Sequence, residues 1–116
     1  MKGIYFDRTV TTNDEWKQAI RDHAKMATGF EIHCWNTETD IIALAQKFGT
    51  DTIADGSQCT VIRGRVTPAL LEMLTSQPKP QDTAVYNKMT PFSSIFFNNG
   101  FSSEHYGTEL YFMADH

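Results

Sequence analysis

The stretch Phe30-Glu31-Ile32-His33-Cys34-Trp35-Asn36-Thr37-Glu38-Thr39-Asp40-Ile41-Ile42-Ala43-Leu44-Ala45-Gln46-Lys47-Phe48-Gly49 decides the fold. Its first six residues alternate, with Phe30, Ile32 and Cys34 on one side and Glu31, His33 and Trp35 on the other, which is the period of a strand. From Thr37 the period changes. Ile41, Leu44, Ala45 and Phe48 recur at helical spacing, Thr37 stands as the expected cap, and Gly49 occupies a helix-ending position. A strand followed at once by an amphipathic helix is the repeating unit of a layered α/β or α+β domain.

The pattern continues in both directions. Upstream, residues 3–7 form a short apolar and aromatic run that reads as a first strand. Thr12 and Glu15 have capping-box spacing, and Trp16, Ala19, Ile20, His23 and Ala27 form a stripe on a first helix that Gly29 ends. Downstream, Cys59 to Val66 is rich in strand formers, and Thr67-Pro68 is a cap followed by proline at the first helical position. Asn98-Asn99-Gly100 marks a hairpin between a strand at 93–97 and a return strand from Phe101, and 108–113 reads as a last strand. The expected architecture is a single domain over residues 1–116, with class α/β to α+β. It has a mixed sheet of four to six strands, three helices, parallel pairing at the front and a C-terminal antiparallel hairpin. A ferredoxin-like split arrangement is the rival topology.

Composition narrows the function classes. The chain has 116 residues, 41% of them apolar and 21% charged, an ordinary globular balance. Ten basic residues against fourteen acidic ones leave a net charge of −4, which disfavours a phosphate-contacting nucleic-acid binder. The longest apolar run, Ile41 to Ala45, is far short of the roughly 20 residues that a membrane helix needs. No export signal is read at the N-terminus, so the expected location is cytoplasmic. Cys34 and Cys59 are then expected as free buried thiols, with no metal site and no cofactor.

Charge is unevenly spread. Residues 31–62 carry Glu31, Glu38, Asp40, Asp51 and Asp55 against Lys47 alone, and residues 89–116 carry Glu104, Glu109 and Asp115 with no base. If the two segments meet, they make a negative face that steers a basic partner. Seven aromatics between Phe92 and Phe112, interleaved with Ser, Asn and Gly, suit an adaptable contact surface. These features match the physical profile of small acidic inhibitors such as immunity proteins and antitoxins, an analogy of composition alone. The expected partner is therefore a basic protein, with a toxin domain as the example. Its contact set would be Glu38, Asp40, Asp51, Asp55, Phe101, Glu104, His105 and Tyr106, with Phe101 and Tyr106 as anchors.

The alternative is a small enzyme or ligand-binding domain near His33, Arg63 and Arg65. Glu31 and His33 project side by side from a strand, as an acid/base pair would. Arg63 and Arg65 alternate on another strand and could clamp a phosphate or carboxylate. No phosphate-loop, dinucleotide or nucleophile-elbow motif is present, and no catalytic residue is assigned. A homodimer through the aromatic hairpin is a third reading.

Overall fold

A computed structural model describes residues 2–54, 58–81 and 87–115. The elements in chain order are β1 (Lys2–Thr9), α1 (Asn13–Ala24), β2 (Gly29–Trp35), α2 (Thr39–Gln46), β3 (Asp51–Ala54), β4 (Cys59–Arg65), α3 (Pro68–Ser76), β5 (Ser94–Phe97), β6 (Ser102–Glu104) and β7 (Glu109–Asp115). They form one compact α+β domain in which a single sheet carries three helices. The sheet has seven strands in the order β1-β7-β6-β5-β2-β4-β3, and every neighbouring pair is antiparallel.

The expected parallel pairing at the front is corrected by this register. Alternating senses across the sheet make β1 and β2 run the same way, as a helical crossover requires, yet β7, β6 and β5 lie between them. The crossover from β4 to β5 through α3 likewise steps over β2. The helices thus join strands of equal sense, while the gaps are filled by strands from elsewhere in the chain. β3, a four-residue edge strand, is an element that the hydrophobic pattern did not announce.

Local chemistry explains the element ends. Thr12 Oγ1 accepts from the Glu15 backbone N–H at 3.1 Å, and the Glu15 carboxylate accepts from the Thr11 N–H at 3.2 Å, so the capping box is closed one residue early. Thr67 Oγ1 accepts from Leu70 N–H at 3.1 Å, with Pro68 opening α3. The helix α2 differs: its cap position is Glu38, not Thr37, and no side chain caps its backbone there. Gly49 is required for close approach, since a Cβ there would stand 2.4 Å from Ile62 Cγ2. Gly29 does not end α1, which stops at Ala24, but opens β2.

All three helices cover one face. Phe30, Ile32 and Cys34 of β2, Ile62 of β4, Ile95 and Phe97 of β5 and Leu110 of β7 join one buried cluster with Trp16, Ala19 and Ile20 of α1, Ala45 of α2 and Leu70, Met73 and Leu74 of α3. Trp16 Nε1–H donates to Ser103 Oγ at 2.9 Å, which pairs two polar groups inside this core. The opposite face, carrying Glu31, His33, Trp35, Val61, Arg63, Phe96, Glu104 and Glu109, has no helix over it among the described residues. No described helix is long and apolar enough to cross a membrane.

Candidate functional site on the helix-free sheet face

Alternation places the strand-borne site residues on this helix-free face. Register then aligns them into cross-strand rows: one runs Tyr111, Ser102, Phe96, Glu31, Arg63 and Asp51, and a neighbouring row holds Glu109, Glu104, Ser94, His33, Val61 and Ile53. One cluster forms along these rows and a second includes residues of the adjoining loops.

The first is centred on Glu31. Its Oε1 lies 3.1 Å from His33 Nε2 and its Oε2 lies 3.2 Å from Arg63 Nε, so one carboxylate holds an imidazole and a guanidinium from two strands. The Phe96 ring stands 4.7 Å from the His33 ring and tilts against it. Beside this cluster, at the strand ends, a groove of about 410 Å³ is lined by Gly29, Phe30, Glu31, Arg63, Gly64, Phe96, Phe97 and Asn98. Both Asn98 side-chain groups bind Thr28: Oδ1 accepts from its N–H at 2.9 Å and Nδ2 donates to Oγ1 at 2.6 Å. The alternative set therefore converges in part, with His33 and Arg63 joined through Glu31 and exposed Arg65 on the same face opposite Gly29.

The second cluster is acidic. Glu38 binds in two directions: Oε1 accepts from the Trp35 backbone N–H at 2.9 Å, and Oε2 accepts from Tyr106 Oη at 3.1 Å. Burial, then the nearby Glu38 charge and its hydrogen bond, push the Tyr106 phenol up to about 12, against weaker hydrogen bonds with Ser93 and Trp35 that act the other way. Lys88 Nζ sits 4.3 Å from the Tyr106 ring centre. Next to it, Glu104 and Glu109 face each other across β6 and β7, His105 Nε2 lies 3.8 Å from Glu109, and Tyr111 Oη donates to the same Glu109. That hydrogen bond is the main cause raising the Tyr111 phenol to about 12.

The turn supplying this cluster is strained. His105 and Tyr106 have φ of 53° and 58°, in the left-handed region, and Gly107 follows at 82°. The surrounding backbone holds it: Tyr106 N–H donates to Ser93 O, while Tyr106 O accepts from Met89 and Thr90. A Cβ at Gly107 would come within 2.7 Å of Trp16 Cδ1, so glycine is needed for both conformation and space.

Of the expected contact set, Glu38 meets Tyr106, while His105 lies near Glu109, which faces Glu104 across β6 and β7. Asp40 is exposed on the first turn of α2. Asp51 is exposed on β3, in register with Arg63 at the far edge of the sheet. Asp55 lies outside the described residues. Phe101 is corrected: it is 2% exposed, stacked 4.1 Å from the His23 ring and 5.5 Å from Phe97, so it belongs to the core and presents no surface. Trp35, 44% exposed, is an open aromatic that the reading of the hairpin missed, and Phe112 of that segment is exposed as well. The strand parity of Trp35 was visible, but which sheet face the helices would leave bare was not.

Both thiols are free. Cys34 lies in register with Thr60 and Cys59 with Trp35, so the two cysteines point to opposite faces of the sheet. Burial above all pushes the Cys34 thiol up to about 12. No group of three His, Cys, Asp or Glu side chains suited to a metal ion occurs among the described residues. Comparison with protein-family profiles, with curated proteins and with solved structures finds no match.

Proposed function

We propose that the chain is a binding protein that engages a basic protein partner through the helix-free sheet face, in the manner of an immunity-type or antitoxin-type inhibitor. One observation carries this reading. Carboxylates of both acidic segments lie on that face, Glu31 and Asp51 from the first and Glu104 and Glu109 from the second, and Glu38 reaches Tyr106 across the two segments. Such a surface would steer a cationic partner at long range and orient it on arrival. Trp35, replacing Phe101 in the role of anchor, offers a large amphipathic side chain beside the acidic corner.

Affinity capture from native lysate, identified by mass spectrometry, tests the proposal. A basic protein is expected in stoichiometric amount, released as salt rises and lost with the Glu104→Lys/Glu109→Lys double variant. Capture unaffected by both changes, or no captured protein at low salt, would overturn it. A second reading, a small ligand-binding domain or enzyme, draws on the junction that Glu31 makes between His33 and Arg63 beside the groove.

A further inference from the structure

The polar atoms around the groove at the ends of β2, β4 and β5 differ in how much bonding capacity they have left. Glu31 has one oxygen on His33 and the other on Arg63. The Asn98 carbonyl oxygen is taken by the Thr28 N–H, and one amide hydrogen by Thr28 Oγ1. Among the described residues Arg63 bonds only through Nε, to Glu31, and its side chain is 51% exposed. A guanidinium has five N–H donors, so the outer pair of nitrogens keeps its fork. Glu31 keeps further acceptor sites on both oxygens, but the cation in this lining is Arg63, fixed in place by that carboxylate behind it. Arg65, on the same face opposite Gly29, adds positive charge nearby. The remaining lining is apolar or glycine: Phe30, Phe96, Phe97, Gly29 and Gly64. A concave apolar site with one convergent charged donor and a volume of about 410 Å³ is of small-molecule size.

We infer that this groove binds a compact aromatic or apolar anion, a carboxylate or phosphate monoester, with the acidic group on the Arg63 fork and the apolar body against Phe96. The inference rests on the ligand-binding reading of the groove and is independent of any protein partner. Arg63 is the receptor because planar two-point recognition of a carboxylate or phosphate suits a guanidinium. Glu31 is a positioning residue: its bond to Nε orients the fork outward, and His33 holds Glu31 from the other side.

Proton–nitrogen correlation spectra of the full chain, titrated with benzoate, phenyl phosphate, benzamide and inorganic phosphate at constant ionic strength, test it. Saturable shifts are expected at the amides of Gly29, Gly64, Phe96, Phe97 and Asn98 with an aromatic anion, and the tighter of benzoate and phenyl phosphate identifies the acidic group. Arg63→Gln should weaken that binding by about tenfold or more, and Arg63→Lys by less, since the lost bonds are charge-assisted. Both variants alter an exposed side chain, and unchanged spectra elsewhere confirm their fold. Glu31→Gln, which keeps the shape but loosens the fork, should weaken binding while leaving the same amides responsive. Benzamide binding as tightly as benzoate would overturn the ligand class while leaving a ligand site. Inorganic phosphate matching phenyl phosphate would overturn the apolar contribution. Equal affinity in Arg63→Gln would remove Arg63 as receptor. No saturable shift with any probe would overturn both the inference and the ligand-binding reading.

Discussion

Phe101 and Tyr106 are five residues apart, and both looked like surface anchors, yet one is packed in the core and the other stands at a polar corner. The aromatic stack of His23, Phe101 and Phe97 predicts that Phe101→Ala costs about 3–5 kcal/mol of stability, as large aromatic truncations in cores do, measured by denaturant unfolding. A loss near zero would mean the ring is not packed. Tyr106 and Cys34 predict a pH dependence of opposite direction to acid unfolding. The Cys34 thiol rises from 9.0 to about 12 and the Tyr106 phenol from 10.0 to about 12. Between those limits the folded state holds protons that the unfolded chain has released, so the stabilisation present below pH 9 is lost as pH climbs towards 12. Unfolding free energy measured across that range should fall, and Tyr106→Phe together with Cys34→Ala should make the fall shallower, with Tyr111 accounting for part of what remains. An unchanged slope in the double variant would refute the assignment.

Caps distinguish the helices at the scale of the element. Thr67 closes the first turn of α3 with a hydrogen bond, whereas Thr37 lies before the actual cap of α2 and Glu38 caps nothing there, being turned to Tyr106 and Trp35. Thr67→Ala is therefore expected to cost about 1 kcal/mol, and Thr37→Ala close to nothing, by the same unfolding measurement. Equal losses would show that Thr37 caps α2 in solution. The β6–β7 turn is the other sensitive element. Gly107→Ala meets both a positive φ and the Trp16 ring, so it should destabilise by more than about 1 kcal/mol, and should also move the Tyr106 signal, because Tyr106 precedes it in the same left-handed run. A neutral substitution there would contradict the geometry of the turn.

The layer arrangement sets the behaviour of the molecule as a whole. Among the described residues, one face of the sheet carries three helices and the other carries none, so stability is expected to concentrate in the strands that form the floor of the core. Amide exchange should be slowest in β2 and β5, whose inward residues Phe30, Ile32, Ile95 and Phe97 are buried, and fastest in β3, where all four residues are exposed. Comparable protection in β3 would point to a covering segment or a partner on that edge. The same asymmetry bears on binding. Charge reversal on the bare face, at Glu104 and Glu109, should change partner affinity with little loss of stability, while core substitutions should do the reverse.

Much of this arrangement was legible locally. The periods of Phe30 to Gly49, the capping box at Thr12 and Glu15, the Thr67-Pro68 start and the Asn98-Asn99-Gly100 turn are set by interactions within a few residues, and the structure contains the elements they announce. Parity also assigned Glu31, His33, Arg63 and Arg65 to strand faces, because alternation is a property of the strand itself. Strand order was decided elsewhere. Nothing local to β1 or β2 reveals that β5, β6 and β7 fill the space between them, since pairing joins residues such as Thr9 and Glu109 that are distant in the chain. The same holds for burial and convergence. Phe101 is inside because His23 and Phe97 close over it, and Asn98 ties the hairpin to Thr28 across the fold. Glu31 meets both His33 and Arg63 only because antiparallel register sets β4 against β2. Short-range chemistry in the sequence thus determined which elements form and which way their side chains alternate; long-range packing alone decided their neighbours, and with them the sheet face that no described helix covers.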